Sequence, residues 1–254
     1  MPKDITVSLP DGNKKVLPSG SNGYDLASSI GSGLAKSAVA FRIGDDQFDL
    51  HDELQDETTV SIITIQSDEG LEIMRHTIAA QVLACAIKNL FPNSKLAIGP
   101  TIENGFYYDI LFDTSISSDD LDKIEKEMRN IIKKGGFIKK SLHSKADALS
   151  KFKKNQETYK LKIIEESDQS KDFQIYTQED SGFIDLCKGP HLPSLSFVGE
   201  FKLLSIAGAY WQGDSNNEML TRIYGTAWRT KKELSDHLTL SLIHISEPTR
   251  PFHI

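Results

Sequence analysis

The segment 185–191 has the sequence Asp-Leu-Cys-Lys-Gly-Pro-His and places an acid, a thiol and an imidazole on one short stretch of chain. The pair Gly189-Pro190 cannot continue a helix, because proline lacks the donor N–H and glycine loosens the backbone. The fold must therefore present Cys187 and His191 from a loop. The stretch 201–228 that follows is rich in glycine, asparagine and aromatic residues. A reactive loop that leads into such a stretch indicates a functional site.

Length and composition are those of an ordinary globular protein. The 254 residues suffice for one large or two modest domains, and 39% hydrophobic with 26% charged residues is typical of soluble proteins. No apolar run approaches the roughly 20 residues of a membrane helix and no secretory leader opens the chain, so no membrane association is expected. Two cysteines, Cys85 and Cys187, make no disulfide framework, and a cytoplasmic location is expected.

Charge is distributed unevenly along the chain. The net charge of −7 argues against a uniformly basic nucleic-acid binder, yet the stretch from Lys123 to Lys162 contains 13 Lys/Arg and 4 Asp/Glu. This basic stretch either contacts phosphates, since neutralising them releases counterions, or forms a solvated helix face. The sequence favours neither interpretation over the other.

Residues 1–65 are predicted to form a β-grasp, ubiquitin-like domain. Segments 5–9 and 14–17 flank a Pro-Asp-Gly-Asn turn, as the two strands of a β-hairpin do. Segment 24–35 is predicted to be a helix, because its apolar residues recur four apart. Further strands are predicted at 38–43, 47–50 and 60–65. A hairpin, a crossover helix and more strands in this order indicate the β-grasp fold.

Residues 66–228 are predicted to form an α+β domain with helices packed on an antiparallel sheet. A long helix is predicted over 71–90, and a charged amphipathic helix over 118–134, with its first serine and aspartates as the N-terminal cap. Two strands around a turn are predicted over 96–111. A linker helix is predicted over 229–239.

Three motifs of the second domain carry a family resemblance. They are Arg75-His76, the Cys-x-x-x-His spacing of 187–191 and the run Gly-Ala-Tyr-Trp-Gln-Gly-Asp-Ser at 208–215. With these motifs the chain resembles the editing domain of bacterial threonyl-tRNA synthetases. Its first 65 residues are similar to the β-grasp TGS module at the N-terminus of the same enzymes. The resemblance covers residues 1–239 and is most specific over 183–228.

The resemblance implies that the chain is the N-terminal fragment of such a synthetase. The parent enzyme would attach threonine to tRNA(Thr) using ATP. This part would bind the aminoacylated 3′ end of the tRNA and hydrolyse mischarged seryl-tRNA(Thr). The aminoacylation core, with its ATP, Mg and Zn, and the homodimer interface would lie beyond residue 239, so no cofactor is expected in this chain. Two alternatives remain, a free-standing trans-editing aminoacyl-tRNA hydrolase and a non-catalytic tRNA-binding module.

The resemblance also implies which residues line the editing pocket. The residues expected to be catalytic are His76, Lys160, Asp185, Cys187 and His191. Those expected to bind the substrate are Tyr108, Tyr176 and Gln81. Ester hydrolysis needs a group that accepts a proton from water and donors for the developing oxyanion. A histidine titrates in the right range for the first role and a lysine suits the second, while a covalent Cys187 nucleophile is a less favoured alternative.

The helix that carries His76 departs from the family pattern Arg-His-x-x-x-His. Ala80 stands at the fourth position after His76, and one inserted residue moves Gln81 to the place of the second histidine. On a regular α-helix a residue at i+5 is rotated about 140° from residue i, so Gln81 can substitute only if a π-bulge absorbs the extra residue. An amide cannot take a proton near neutral pH, so slower hydrolysis is expected.

A metal site is the other interpretation of these side chains. His76, Cys187 and His191 would just satisfy a catalytic zinc, which usually has three protein ligands and a water. The resemblance implies a metal-free pocket instead, so no metal is predicted.

Residues 240–254 are predicted to be foreign to the fold. The run Leu-Ser-Leu-Ile-His-Ile-Ser-Glu-Pro-Thr-Arg at 240–250 replaces the charged helical run with which the family continues. It is similar to an in-frame translation of a sequencing adapter, so the segment is expected to be a non-native tail. A short natural tail is the alternative.

Overall fold

The computed structural model describes residues 4–169 and 171–246, and for 241–246 the backbone alone. The strands of its first domain are β1 (Ile5–Ser8), β2 (Lys14–Leu17), β3 (Ala38–Ile43), β4 (Asp46–Asp49) and β5 (Val60–Thr64). The first two form an antiparallel hairpin, and the other three form an antiparallel sheet in the order β4-β3-β5. Leu26 and Phe41 are buried in the core between them. The predicted β-grasp fold is confirmed.

The single helix predicted over 24–35 is in fact two helices, α1 (Gly23–Ile30) and α2 (Ser32–Ser37). The Asn22 side chain caps α1 by accepting hydrogen bonds from two backbone N–H groups of its first turn. Gly31, between the helices, has an extended backbone. Glycine is a poor helix former, and the predicted helix breaks at this residue.

The second domain begins with a long helical segment composed of α3 (Asp68–Thr77), a π-helix (Ile78–Leu83) and α4 (Ala84–Leu90). The Ser67 hydroxyl accepts a hydrogen bond from the Gly70 N–H at 3.0 Å, so the segment begins before the predicted residue 71. In the π-helix the Ala84 N–H donates to the Ala79 carbonyl, five residues earlier. The predicted long helix is present, and its middle contains the π turn that must absorb the extra residue if Gln81 is to take the place of the second histidine.

Two antiparallel sheets complete the architecture. Their strands are β6 (Lys95–Leu96), β7 (Thr101–Ile102), β8 (Gly105–Leu111), β9 (Ile138–His143), β10 (Phe173–Gln178), β11 (Ile184–Leu186), β12 (Glu200–Tyr210) and β13 (Met219–Trp228). One sheet has the order β12-β13-β8-β6, with β7 paired to β8, and the other has the order β11-β10-β9. Segment 96–111 thus contributes to three short strands where two were predicted. The helical segment packs on the first sheet, where Met74, Phe106 and Ile223 share one buried cluster, and the predicted α+β class is confirmed.

The remaining helices of this domain carry most of the basic stretch. They are α5 (Asp120–Lys134), α6 (Lys145–Lys154) and α7 (Thr158–Glu166). The predicted cap of α5 is wrong, because Asp119 makes no capping bond and Asp120 instead accepts from the Ser117 N–H at 2.9 Å. Most cations of the basic stretch are exposed, whereas Lys140 is half-buried and Lys160 is buried.

The two domains share a hydrophobic core. Val39, Ala40 and Ile63 of the β-grasp domain belong to the same buried cluster as Leu71 and Met74 of the second domain. Protein interiors are packed like organic crystals, so side chains on both sides of this boundary are in close contact. The β-grasp domain therefore packs directly against the second domain.

The last helix, α8, spans Lys231–Ser246 and so continues past the predicted end of the linker helix at 239. The chain has no glycine or proline between Lys231 and Pro248 that would stop it. Leu234 is buried and the His237 ring lies 4.9 Å from that of Trp228, whereas Leu240 is 58% exposed. Residues 247–254 lie outside the described residues, and the foreign tail stays a prediction. Within the described residues no helix is long and apolar enough to cross a membrane.

Deletion of all residues after Leu238 is expected to leave the melting temperature unchanged within error. Among the residues whose side chains the structure describes, Leu234 and His237 make the packing contacts of α8, and both are kept. Thermal unfolding followed by circular dichroism measures the change. Deletion after Thr230, which removes both contacts, is the control and should lower the melting temperature. A clear drop for the shorter deletion would mean that the tail belongs to the fold.

Candidate active site

The ends of several elements bring the predicted site residues together from distant parts of the chain. His76 lies at the end of α3, Tyr108 on β8 and Lys160 in the first turn of α7. The others are Tyr176 on β10, Asp185 on β11, and Cys187 and His191 in the loop after β11. The loop belongs to no helix or strand over 187–193, as the Gly-Pro pair predicted.

His76 and Cys187 form a direct contact. The His76 Nε2 lies 2.9 Å from the Cys187 Sγ. Burial lowers the pKa of His76, against the opposing effect of the Asp185 charge, so the imidazole is neutral at pH 7. The direction of the His76–Cys187 hydrogen bond depends on which ring nitrogen carries the proton.

His191 is held by the Thr77 hydroxyl. Thr77 Oγ1 donates to the Ile73 carbonyl at 2.8 Å, and it accepts from the Leu192 N–H at 3.0 Å. A hydroxyl has one proton, so the 3.2 Å contact with His191 Nδ1 requires that the proton sits on the imidazole nitrogen. The lone pair of His191 is consequently on Nε2. This atom is buried and has no hydrogen-bond partner among the described residues.

The two imidazoles lie face to face. The rings of His76 and His191 are 4.6 Å apart at their centroids with an interplanar angle of 6°. The Tyr176 ring meets His191 edge-on at 4.4 Å, and its hydroxyl donates to Asp49 Oδ2 at 2.6 Å. Tyr176 is therefore a wall of the imidazole stack, and its hydroxyl points to the β-grasp domain.

A buried ion pair forms the second half of the site. Lys160 Nζ lies 2.7 Å from Asp185 Oδ1 and donates to the Tyr108 hydroxyl at 3.2 Å, while that hydroxyl donates to Asp185 Oδ2 at 3.4 Å. Burial raises the pKa of Asp185, and the Lys160 ammonium opposes that rise. Burial and the Asp185 charge raise the pKa of Tyr108, which stays a neutral hydroxyl. Lys160, Tyr108 and Asp185 thus contact one another, and the Lys160 ammonium is held between the Tyr108 hydroxyl and the Asp185 carboxylate.

Gln81 lies in the π-helix and is buried. Its backbone carbonyl accepts from Gln178 Nε2 at 2.6 Å and its side-chain oxygen is 3.4 Å from the same atom, while Gln81 Nε2 has no partner among the described residues. Gln178 stands two residues after Tyr176 on β10. The structure thus places Gln81 against the strand that walls the imidazole stack, and its role in substrate binding stays a prediction.

His76, Cys187 and His191 offer ligand atoms within 4.8 Å of one another, a set that could hold a metal ion. The expected absence of a metal therefore stays a prediction. Asp49 and Thr77 are contributors that the sequence analysis missed. No local pattern marks Asp49, which lies in another domain, and Thr77 was visible only as the neighbour of His76.

The sequence matches two known domain families. Residues 5–64 match the TGS domain, and residues 174–224 match the Threonyl and Alanyl tRNA synthetase second additional domain. Two similar curated proteins are called threonine–tRNA ligase. The relative from Citrifermentans bemidjiense is 48% identical over 235 residues, which are 92% of this chain and 36% of the relative. The relative from Francisella philomiragia is 47% identical over 234 residues, with the same two shares.

These matches agree with the geometry. The matched range 174–224 contains Tyr176, Asp185, Cys187 and His191, and the residues that complete the site come from the helical segment, β8 and α7. The chain spans about a third of the length of the curated relatives, 36%. The chain therefore carries a TGS domain followed by the second additional domain of threonyl and alanyl tRNA synthetases, and it corresponds to the N-terminal region of threonine–tRNA ligases.

Proposed function

We propose that this chain is the editing part of a threonine–tRNA ligase, which binds the aminoacylated 3′ end of tRNA(Thr) and hydrolyses seryl-tRNA(Thr). The observation that carries the proposal is the free, buried Nε2 of His191, which faces a site that also holds a thiol and a lysine. The relatives are ligases, which supports this function over a free-standing trans-editing hydrolase. Threonine attachment with ATP would be the activity of the parent enzyme.

The hydrogen-bond network supports a set of proton-transfer roles. A water molecule attacks the carbonyl carbon of the seryl ester, and His191 Nε2 takes a proton from it as the general base. Lys160 is the cation that can stabilise the oxyanion, and the Tyr108 hydroxyl helps to hold its ammonium in place by accepting a hydrogen bond from it. The ester C–O bond then breaks, the ribose oxygen receives the proton from His191, and serine and free tRNA are released.

A covalent route through Cys187 is the second candidate. The 2.9 Å contact with His76 favours it, because a thiol beside a histidine is the usual arrangement of an activated cysteine nucleophile. In that route His76 takes the thiol proton and the sulfur attacks the carbonyl carbon of the ester. The C–O bond to the ribose breaks, the ribose oxygen receives the proton from His76, and water later hydrolyses the thioester to release serine and restore the thiol. Measuring C187A separates the two routes, since only the covalent one requires the sulfur.

Size explains why a second site is useful. Serine lacks one methyl group of threonine, and one methyl group is worth only about 1–3 kcal/mol of discrimination in a binding pocket. A hydrolytic pocket can instead admit serine and exclude the larger threonine. The rings of Tyr108 and Tyr176, both buried, are rigid walls suited to such exclusion.

A metal-free pocket is part of the proposal. Tetrahedral zinc with Zn–N and Zn–S bonds of about 2.0 and 2.3 Å would separate its N and S ligands by about 3.6 Å. The His76 Nε2 and Cys187 Sγ are 2.9 Å apart, which is a hydrogen-bond distance. The near-parallel imidazole planes also oppose a shared ion, because the lone pairs lie in the ring planes.

The exposed part of the basic stretch is the proposed contact for tRNA phosphates. Lys151, Lys153 and Lys154 crowd the last turn of α6, and α7, which carries Lys160, follows directly. Cations in this position can neutralise phosphates near the pocket and release counterions. They would guide the 3′ end of the tRNA toward the site.

Serine release from seryl-tRNA(Thr), compared with threonine release from threonyl-tRNA(Thr), tests the proposed function on the purified chain. The serine ester is expected to be hydrolysed faster than the threonine ester. Retained tRNA binding without hydrolysis of either ester would favour the non-catalytic binding module. Equal hydrolysis of both esters would contradict selective editing.

The His191→Asn variant is expected to lower the single-turnover rate constant by about 10²–10⁴-fold, the usual contribution of a general base. An asparagine amide N–H can keep the bond to the Thr77 hydroxyl but offers no Nε2, so the variant removes the base and little else. His51→Asn, an exposed histidine of the β-grasp domain, is the matched control and should be unchanged. Near-normal hydrolysis by H191N combined with its loss in C187A would point to the covalent route.

The Gln81→His variant is expected to change the same rate constant only a few-fold, far less than the 10²–10⁴-fold of a general base. The sequence alone predicted that a second histidine is limiting. The network changes that expectation, because His191 already supplies a free nitrogen and Gln81 bonds to Gln178. A rise of tenfold or more in Q81H, at unchanged melting temperature, would mean that the missing imidazole limits the reaction.

A further inference from the structure

A carboxylate of the β-grasp domain reaches the site of the second domain. Asp49 is the last residue of β4, and its side chain is only 15% exposed. Its Oδ1 accepts a hydrogen bond from the backbone N–H of His191 at 2.9 Å. Its Oδ2 accepts one from the Tyr176 hydroxyl at 2.6 Å. One side chain of the first domain thus contacts two residues of the candidate site.

These two hydrogen bonds hold His191 from two directions. The first fixes its backbone, and the second fixes Tyr176, whose ring lies against the imidazole at 4.4 Å. The loop 187–193 has no helix or strand to position it. The backbone N–H groups of His191 and Leu192 donate to side chains, those of Asp49 and Thr77. Without Asp49, the Thr77 hydroxyl would be the remaining hydrogen-bond partner described for the His191 residue.

Asp49 is itself rigidly placed. Its backbone N–H donates to Asp52 Oδ2 at 3.1 Å, and the Asp52 N–H donates to the Asp49 carbonyl at 2.9 Å. Lys140 Nζ lies 3.1 Å from Asp49 Oδ2 and also bonds to the Asp52 carboxylate. Lys140 stands directly opposite Tyr176 in the β9-β10 ladder. The Lys140 cation offsets the cost of burying the Asp49 carboxylate, whose two oxygens accept the two hydrogen bonds.

We infer that Asp49 is a positioning residue for hydrolysis, because it holds the His191 imidazole where Nε2 can take a proton from the attacking water. The inference rests on the proposed function of His191. It gives the β-grasp domain a part in the chemistry of the site, exerted through the loop and without contact with the substrate.

The Asp49→Asn variant tests this inference by kinetics. Asparagine has one acceptor oxygen and an NH₂ group that would face a donor, so at least one of the two hydrogen bonds is lost. The expected result is a kcat for seryl-tRNA(Thr) lower by about 10- to 100-fold, the cost of a small misplacement of a catalytic group, with KM changed less than about twofold. Asp46→Asn is the matched control on the same strand, with an exposed side chain, and should leave both constants unchanged.

Amide hydrogen exchange of His191 provides a second measurement that does not depend on activity. In the unmodified chain the His191 N–H should exchange slowly, because it donates to a largely buried carboxylate, and in D49N it should exchange at least tenfold faster. Rapid exchange in the unmodified chain would overturn the inference even if D49N failed to fold. A kcat of D49N equal to that of the unmodified chain would overturn it as well.

The two proposals can fail separately. If the unmodified chain hydrolyses no seryl-tRNA, the editing function fails, and the exchange of the His191 amide alone decides whether Asp49 positions the loop. If the unmodified chain is active and D49N is equally active, the editing function stands and the role of Asp49 is refuted.

Discussion

Helix α7 is fixed by two ion pairs, one partly buried and one buried, and the geometry of the candidate site depends on them. Glu157, just before the helix, pairs with Lys88 of α4 at 2.7 Å and accepts from the Leu96 N–H at 3.0 Å. Lys160, in the first turn, pairs with Asp185 of β11 at 2.7 Å. Removing one partner of a buried pair leaves an uncompensated charge and typically costs about 3–5 kcal/mol. The first pair therefore attaches the start of α7 to α4, and the second attaches it to β11 of the smaller sheet.

The same pairs explain why one lysine of the basic stretch is unlike its neighbours. Lys151, Lys153 and Lys154 are exposed, as charged side chains of a surface helix are. Lys160 is buried because Asp185 and the Tyr108 hydroxyl replace the water that its ammonium loses. The site thus gains a cation of fixed position, while most other cations of the stretch remain exposed to solvent.

Much of the fold could be predicted from the sequence, since it follows from local patterns. The hairpin of β1 and β2 follows from alternation around a turn, and the loop of Cys187 and His191 follows from a Gly-Pro pair. The errors occurred where tertiary contacts or caps decide, as at Gly31 and at the start of α5. Lys160 could be selected only through the family resemblance, because its sequence neighbours are also lysines.

The network around His191 was beyond prediction for a physical reason. Which nitrogen carries the proton depends on the Thr77 hydroxyl, and the position of the ring depends on Asp49, a residue of another domain. Hydrogen bonds between residues far apart in sequence leave no periodic trace in either segment. They become visible only when the packing of the two domains is known.

The π-helix allows the helical segment to hold one extra residue without changing the orientation of α4. One extra residue in an α-helix would rotate everything after it by about 100° and would turn the apolar face of α4 away from the sheet. The π turn at 78–83 takes up that rotation locally, and Ala84, Cys85, Ala86 and Ile87 all remain buried. The π turn therefore confines a change of chain length to one helical turn inside the core, and the apolar face of α4 beyond it stays buried.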